Sequence, residues 1–329
     1  MVIIKKVYKL AIIGSGELGS RHLQGLRMSN ETFDIYVVDP SDDALQLSKE
    51  RLDEVSNQIK INKIFYFDSL DLLPKKIDLA IIATTSSIRK KIISNLLQKI
   101  ELKYLILEKI VFQKPSDFYE IKEKLDRKNI RAWVNLPRRS YEVYNCIKSK
   151  INGNINLFVR GNDWGLACNS IHFVDLFIFL NNQFEINFNT ELLYNKIYES
   201  KRKGYKEFFG ELILKNNTGN QAILSDIKDY DSNKNSPLII IKDNDYEYII
   251  DEQKNTLIQK NKNNVYTEDI KIPYQSDLTG IIVDDILKSS KCRLPTFNEC
   301  LKYHAPLIDS FIKHMSLIEN KEIISCPIT

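Results

Sequence analysis

Val7-Tyr8-Lys9-Leu10-Ala11-Ile12-Ile13-Gly14-Ser15-Gly16-Glu17-Leu18-Gly19 decides the fold. The apolar run Val7–Ile13 reads as a short strand, and Ser20-Arg21-His22-Leu23-Gln24-Gly25-Leu26 reads as a helix. A G-x-G-x-x-G sequence carries meaning when it follows a strand and opens a helix. Gly14 permits the tight turn, Gly16 lets the backbone approach a pyrophosphate, and Gly19 lets the helix pack on the strand. The helix start, at Glu17 and Leu18, offers N–H groups and a positive dipole end to phosphate. A second apolar run, Phe33–Val38, ends in Asp39, 20 residues beyond Gly19. A carboxylate there accepts hydrogen bonds from an adenosine ribose and repels a 2′-phosphate, so the expected cofactor is NAD rather than NADP.

Working outward, Ser41 reads as the N-cap of a helix with Asp42 and Asp43 in its first turn. Ile64–Phe67 reads as a strand, and Leu79–Ala83 is an unbroken apolar run of the kind buried on both faces. That run exits into Thr84-Thr85-Ser86-Ser87 and a helix over Ile88–Gln98. Tyr104–Leu107 leads into Glu108-Lys109, Ser116 caps a helix reaching Lys128, and Arg131–Val134 precedes Asn135. Strands and helices alternating at this spacing predict a doubly wound parallel sheet, whose ligands bind beyond the carboxyl ends of its strands. Gly14–Gly19, Asp39, Ala83–Ser87, Glu108-Lys109 and Asn135 all fall at such ends.

After Asn135 the pattern changes. Helices are expected over Ser140–Lys150 and Cys168–Leu180, with a strand at Ile155–Arg160 between them. Strands follow at Phe208–Lys215, Gln221–Asp229, Leu238–Lys242 and Tyr246–Ile250, with hairpin turns at 216–220 and 243–245. Helices over Asp277–Ser289 and Asn298–His314 close the chain. The fold class is therefore α/β, with a Rossmann dinucleotide-binding domain over 1–135. An α+β domain with a mostly antiparallel sheet occupies 136–329.

The 329 residues suffice for both cores, and a net charge of +4 with scattered lysines gives no electrostatic footprint for nucleic acid or membrane. Met1–Lys6 runs into the first strand too soon to be a signal peptide, and no apolar stretch approaches a membrane span. Five cysteines with no Cys-x-x-Cys pair fit reduced thiols in a cytoplasm.

The chain resembles the Gfo/Idh/MocA family of nicotinamide-dependent oxidoreductases over nearly its whole length. The resemblance rests on Gly14-Ser15-Gly16-Glu17-Leu18-Gly19-Ser20-Arg21-His22, Ala83-Thr84-Thr85-Ser86-Ser87, Glu108-Lys109, Asn135 with Arg138-Arg139, and His172-Phe173-Val174-Asp175. Leu294–Leu301 also resembles the family's ending. It implies a large open C-terminal sheet through which homodimers or homotetramers form, and redox chemistry on sugars, cyclic polyols or nucleotide-sugars. It adds Thr84, Thr85, Glu108 and Lys109 to the cofactor site and makes Lys109 and His172 catalytic. Two departures stand out: Ile110 replaces the proline of Glu-Lys-Pro, and Cys168, followed by Asn169, replaces the aspartate four residues before the histidine.

Oxidising a secondary alcohol needs a base for the hydroxyl proton, and imidazole suits neutral pH. His172 is that base or a core histidine at a domain junction. Lys109 stabilises negative charge developing on the substrate oxygen, or is a solvated lysine. Asp175, one turn on, orients the imidazole, contacts substrate or faces solvent. Arg138 and Arg139 grip a phosphate or carboxylate, or form a solvated helix entry. Trp164 stacks on a sugar or packs against a core helix, and Asn169 is placed with it among the substrate residues. Cys168/His172 and Cys300/His304 each have metal-ligand spacing, but nothing joins the two pairs, so no metal is expected.

The expected function is NAD-dependent hydride transfer to or from a nucleotide-activated or otherwise anionic sugar. Alternatives are a redox epimerase or lyase with tightly held NAD, and a non-catalytic dinucleotide-binding sensor or assembly protein.

Overall fold

In the computed structural model, which describes residues 6–55, 59–228 and 235–329, the opening apolar run is β1, Val7–Ile13, and the glycine loop leads into α1, Glu17–Gly25. Then come β2, Thr32–Val38, α2, Asp42–Asp53, β3, Ile61–Phe67, and β4, Lys76–Ile82. The alternation continues through α3, Ser86–Lys99, β5, Glu101–Leu107, α4, Pro115–Arg127, and β6, Arg131–Val134. All six strands pair in parallel in the order β3-β2-β1-β4-β5-β6. The order reverses between β1 and β4, where a doubly wound sheet opens a crevice. Leu79, Ala80, Ile81 and Ile82 are all buried, as a run covered on both faces must be. Ser41 caps α2, its hydroxyl accepting the Ala44 N–H at 3.3 Å. At α4 the expected cap is displaced. The helix starts at Pro115, where a missing N–H costs nothing.

The ladder continues one residue past each strand. Gly14 N–H donates to Val38, Ala83 to Ile13, Glu108 to Ile82 and Asn135 to Leu107, at 2.8–3.0 Å. The residues expected at strand ends are therefore fixed by sheet hydrogen bonds rather than left to loops.

Later in the chain come α5, Glu142–Lys150, β7, Asn156–Asn162, and α6, Leu166–Asn181. They are followed by β8, Asn187–Leu193, β9, Tyr198–Glu199, β10, Lys206–Glu207, β11, Gly210–Lys215, and β12, Gln221–Ile227. The strands end with β13, Asn235–Lys242, β14, Glu247–Asp251, β15, Thr256–Lys260, and β16, Val265–Asp269. The helices α7, Gln275–Ser289, and α8, Phe297–Glu319, complete the chain. An eight-stranded sheet runs β16-β15-β14-β13-β7-β12-β11-β8, antiparallel except for the β7–β12 pair. Its edge strands β8 and β16 were not anticipated, because neither buries one face; β16 is exposed throughout. The expected end of the Gln221–Asp229 strand falls on Asp229, outside the described residues.

Two compact units result. One comprises Met1–Phe112, Tyr119–Pro137 and Pro273–Phe297; the other Gln113–Phe118, Arg138–Ile272 and Asn298–Thr329. The first thus takes in α7, which the sequence reading placed after residue 135 with the second. Asp284 of α7 accepts the Ser29 hydroxyl and the Asn30 N–H, and Asp277 pairs with Arg27 at 2.5 Å.

Within the second unit, α6 is apolar on nearly every face and forms its central helix. Two buried carboxylates satisfy its first turn. Asp226 of β12 accepts the N–H groups of Trp164, Gly165 and Leu166, and Glu207 of β10 accepts that of Ala167. Burial pushes both up, Glu207 to about 7 and Asp226 to about 6, against the pull of those N–H donors. Because the folded chain holds these protons to higher pH than the unfolded chain, their stabilising contribution is complete below about pH 4 and is lost as pH rises through 6 to 7. Glu207→Gln should therefore gain on the order of 3 kcal/mol over wild type between pH 4 and pH 8 in urea unfolding. A difference independent of pH would contradict this account.

Candidate functional site

In the first unit the site is built at the β1–β4 crevice. Gly14 has φ +87°, and a β-carbon on it would lie 2.7 Å from the Thr84 nitrogen. One on Gly19 would lie 1.8 Å from the Gly14 carbonyl oxygen, so α1 sits as close to the loop as glycine alone permits. Around Gly16 nothing lies within 4 Å of the corresponding position. That is the room a pyrophosphate needs, and no side chain caps the start of α1. Asp39 is held at the end of β2, its two oxygens accepting the Ser15 N–H at 2.7 Å and the Ser41 N–H at 2.9 Å. Ser15 Oγ and Thr84 Oγ1 are buried with no hydrogen-bond partner among the described residues. This cradle, with its orphaned hydroxyls and strand-end carboxylate, fits a dinucleotide. Glu17 instead pairs with Arg51 at 2.5 Å, Leu18 is exposed, and Thr85 is the N-cap residue of α3.

The next strand end is braced on both sides. Glu108 is buried and accepts from Asn135 Nδ2 at 2.5 Å, while its Oε1 lies 2.8 Å from His22 Nε2. Burial alone would raise the Glu108 carboxyl, but His22, Asn135 and Arg89 outweigh it and hold it below the usual range. Thr279 Oγ1 engages the other nitrogen of His22 at 3.0 Å. Beyond Lys109, the peptide bond to Ile110 is cis, and the fully buried Arg89 donates to the carbonyls of Thr84, Ile110 and Val111. The sequence reading missed Arg89. Its signal was a cation on the stripe shared with Ile93, Leu96 and Leu97, the buried face of α3.

In the second unit a cleft of about 240 Å³ is lined by Arg138, Trp164, Asn169, His172, Phe173 and Glu252, among others. It gathers Arg138, Trp164, Asn169 and His172 from the expected set. Trp164 Nε1 donates to the Ser225 carbonyl at 2.9 Å, and the indole meets the Phe173 ring edge-on at 5.3 Å. Asn169 Nδ2 donates to the Trp164 carbonyl at 2.8 Å. Glu252, which nothing in the sequence signalled, holds Arg138 through paired hydrogen bonds of 2.9 and 2.6 Å and also accepts from Tyr144 at 2.7 Å.

Asp175 and Arg139 engage each other. Asp175 is fully buried, and its two oxygens accept from Arg139 Nε at 2.9 Å and from the Tyr303 hydroxyl. Neither residue lines the cleft, and Asp175 is directed into the core of the unit. Burial leaves the Asp175 carboxyl raised despite Arg139 and Tyr303. Cys300 and His304 form a buried contact of 3.3 Å, and among the described residues no cluster of three or more His, Cys, Asp or Glu is placed to hold a metal. No helix among them is long and apolar enough to cross a membrane.

Comparison with known proteins follows the same division. Residues 8–136 match the family model GFO_IDH_MocA, an oxidoreductase family with an NAD-binding Rossmann fold. No curated protein matches the sequence. Among solved structures, the chain is similar to UDP-N-acetylglucosamine 3-dehydrogenase GnnA from Acidithiobacillus ferrooxidans, with TM-score 0.70 and 14% identity over 93% of this chain and 97% of that one. An oxidoreductase from Agrobacterium radiobacter, in complex with NAD+, L-tartaric acid and magnesium, gives TM-score 0.69 and 16% identity over 94% and 96%. The transcriptional regulator Gal80p from Kluyveromyces lactis gives TM-score 0.69 and 16% identity over 98% and 95%. At these identities the likeness is one of fold. Residues 8–136 are thus a Rossmann domain of the kind that the oxidoreductase family model describes.

Proposed function

We propose that this protein transfers hydride between NAD(H) and a secondary alcohol or ketone of a sugar, in its nucleotide-activated form. The observation that carries the cofactor choice is Asp39, whose carboxylate is tied to the glycine loop through the Ser15 N–H. A fixed negative charge at that position accepts from ribose hydroxyls and opposes a 2′-phosphate. Gly14, Gly16, Gly19 and the first N–H groups of α1 hold the pyrophosphate, with Thr84 and Thr85 at the neighbouring strand end. The bound nicotinamide supplies or accepts the hydride.

The chain's own residues manage the proton. His172 takes the hydroxyl proton during oxidation and returns it during reduction, as an imidazole can near neutral pH. Lys109 is proposed to stabilise negative charge developing on a substrate oxygen. The fold likeness to a UDP-sugar dehydrogenase supports the substrate class. Self-association through the eight-stranded sheet, as a homodimer or homotetramer, is part of the proposal; exposed Leu192, Ile227, Val265 and Tyr266 on its strands support it. The protein acts in the cytoplasm on a small molecule, without nucleic acid or membrane.

A second reading has an observation of its own. Cys168 stands where an aspartate is expected, which favours a dinucleotide-binding sensor that does no chemistry. Lys109→Ala with His172→Ala separates the two. The double variant should lose at least about 10²-fold in turnover; unaltered cellular function would favour the sensor. Asp39→Ala should erase the preference for NADH over NADPH, a change of about tenfold or more in the ratio of dissociation constants. Sedimentation should give a dimer or tetramer, and a monomer at micromolar concentration would exclude association through the sheet.

A further inference from the structure

We infer that the sugar ring seated beside His172 is uncharged, and that the Arg138–Glu252 pair makes Glu252 the residue that selects it. This rests on the proposed function only in taking the 240 Å³ cleft as the sugar site. The two arginines that looked ready to grip an anion are already engaged. Arg139 is closed onto buried Asp175, and Arg138 onto Glu252 in a paired geometry. With Arg138 and Glu252 both on the cleft wall, their formal charges cancel.

A ring carboxylate entering this cleft finds, among the described lining residues, no lysine or arginine beyond Arg138, which Glu252 already neutralises. Taking a charge out of water without a compensating partner is costly. An uncharged ring meets no such cost. Glu252 Oε1 already accepts from Arg138 Nε and the Tyr144 hydroxyl, whereas Oε2 accepts only from Arg138 Nη2 among the bonds described. A carboxylate oxygen has room for about two donors. Glu252 Oε2 therefore offers an acceptor to a sugar hydroxyl. Trp164 and Phe173 supply apolar wall beside it, suited to the C–H face of a ring.

The test is calorimetric titration of the full-length protein, saturated with NADH, using matched pairs. These are glucose with glucuronate and galactose with galacturonate, each free and as the UDP conjugate. The neutral member should bind about tenfold more tightly. Glu252→Gln leaves the Arg138 charge uncompensated and should narrow or reverse that ratio, whereas Arg138→Gln should widen it. A change in sign between two variants is something loss of structure would not produce. If Glu252→Gln does not fold, the wild-type ratio still decides. Preference for the uronate, an unchanged ratio in Glu252→Gln, or no binding of any pair overturns the inference. Oxidation of a uronate with NAD+ would sink this inference and leave the proposed function standing; binding of neutral sugars without hydride transfer would do the reverse.

Discussion

The 1.8 Å that would separate a Gly19 β-carbon from the Gly14 carbonyl oxygen is the constraint on which the first unit depends. Helix α1 lies so close over the end of β1 that its free N–H groups open directly onto the turn. Any side chain at Gly19 would push the helix away, and with it the anion site. The same proximity orders the neighbouring strand end, since a β-carbon on Gly14 would collide with Thr84. From there the sheet transmits position through single hydrogen bonds, Ala83 to Ile13 and Glu108 to Ile82. Lys109 thus follows a residue fixed by a ladder bond, by His22 and by Asn135, and precedes one held by Arg89.

The second unit solves a different problem, that of charges withdrawn from water. Its central helix begins on Asp226 and Glu207 and passes His172 to Asp175, which is closed by Arg139 and Tyr303. Removing one partner from such a pair typically costs about 3–5 kcal/mol, because the other charge is stranded. These groups make α6 a rigid carrier for His172 and Asn169. Asp175 likewise neutralises Arg139, as Glu252 neutralises Arg138 on the cleft wall.

The parallel sheet was legible because its signals are local and redundant: an apolar run, a glycine loop, a helix and a terminal acid at fixed spacing. Asp39, Thr84 and Glu108 could be placed at strand ends by that grammar alone. The second sheet was less legible, since β8 and β16 are edges with no buried alternation to betray them. Glu252 lies just past β14 and meets Arg138 only in three dimensions, a pairing between residues 114 apart that no spacing rule anticipates. Asp175 illustrates the limit from the other side. Three residues from His172 suggested a shared face, but the apolar circumference of α6 gave no way to tell which direction was core.

The central claim is that the Gly14–Gly19 loop and Asp39 bind a nicotinamide dinucleotide. Its most direct test is a fluorescence titration of the purified protein with NADH and with NADPH, after releasing and identifying anything that copurifies. The account predicts saturable NADH binding with NADPH markedly weaker. Failure to bind either dinucleotide would contradict it.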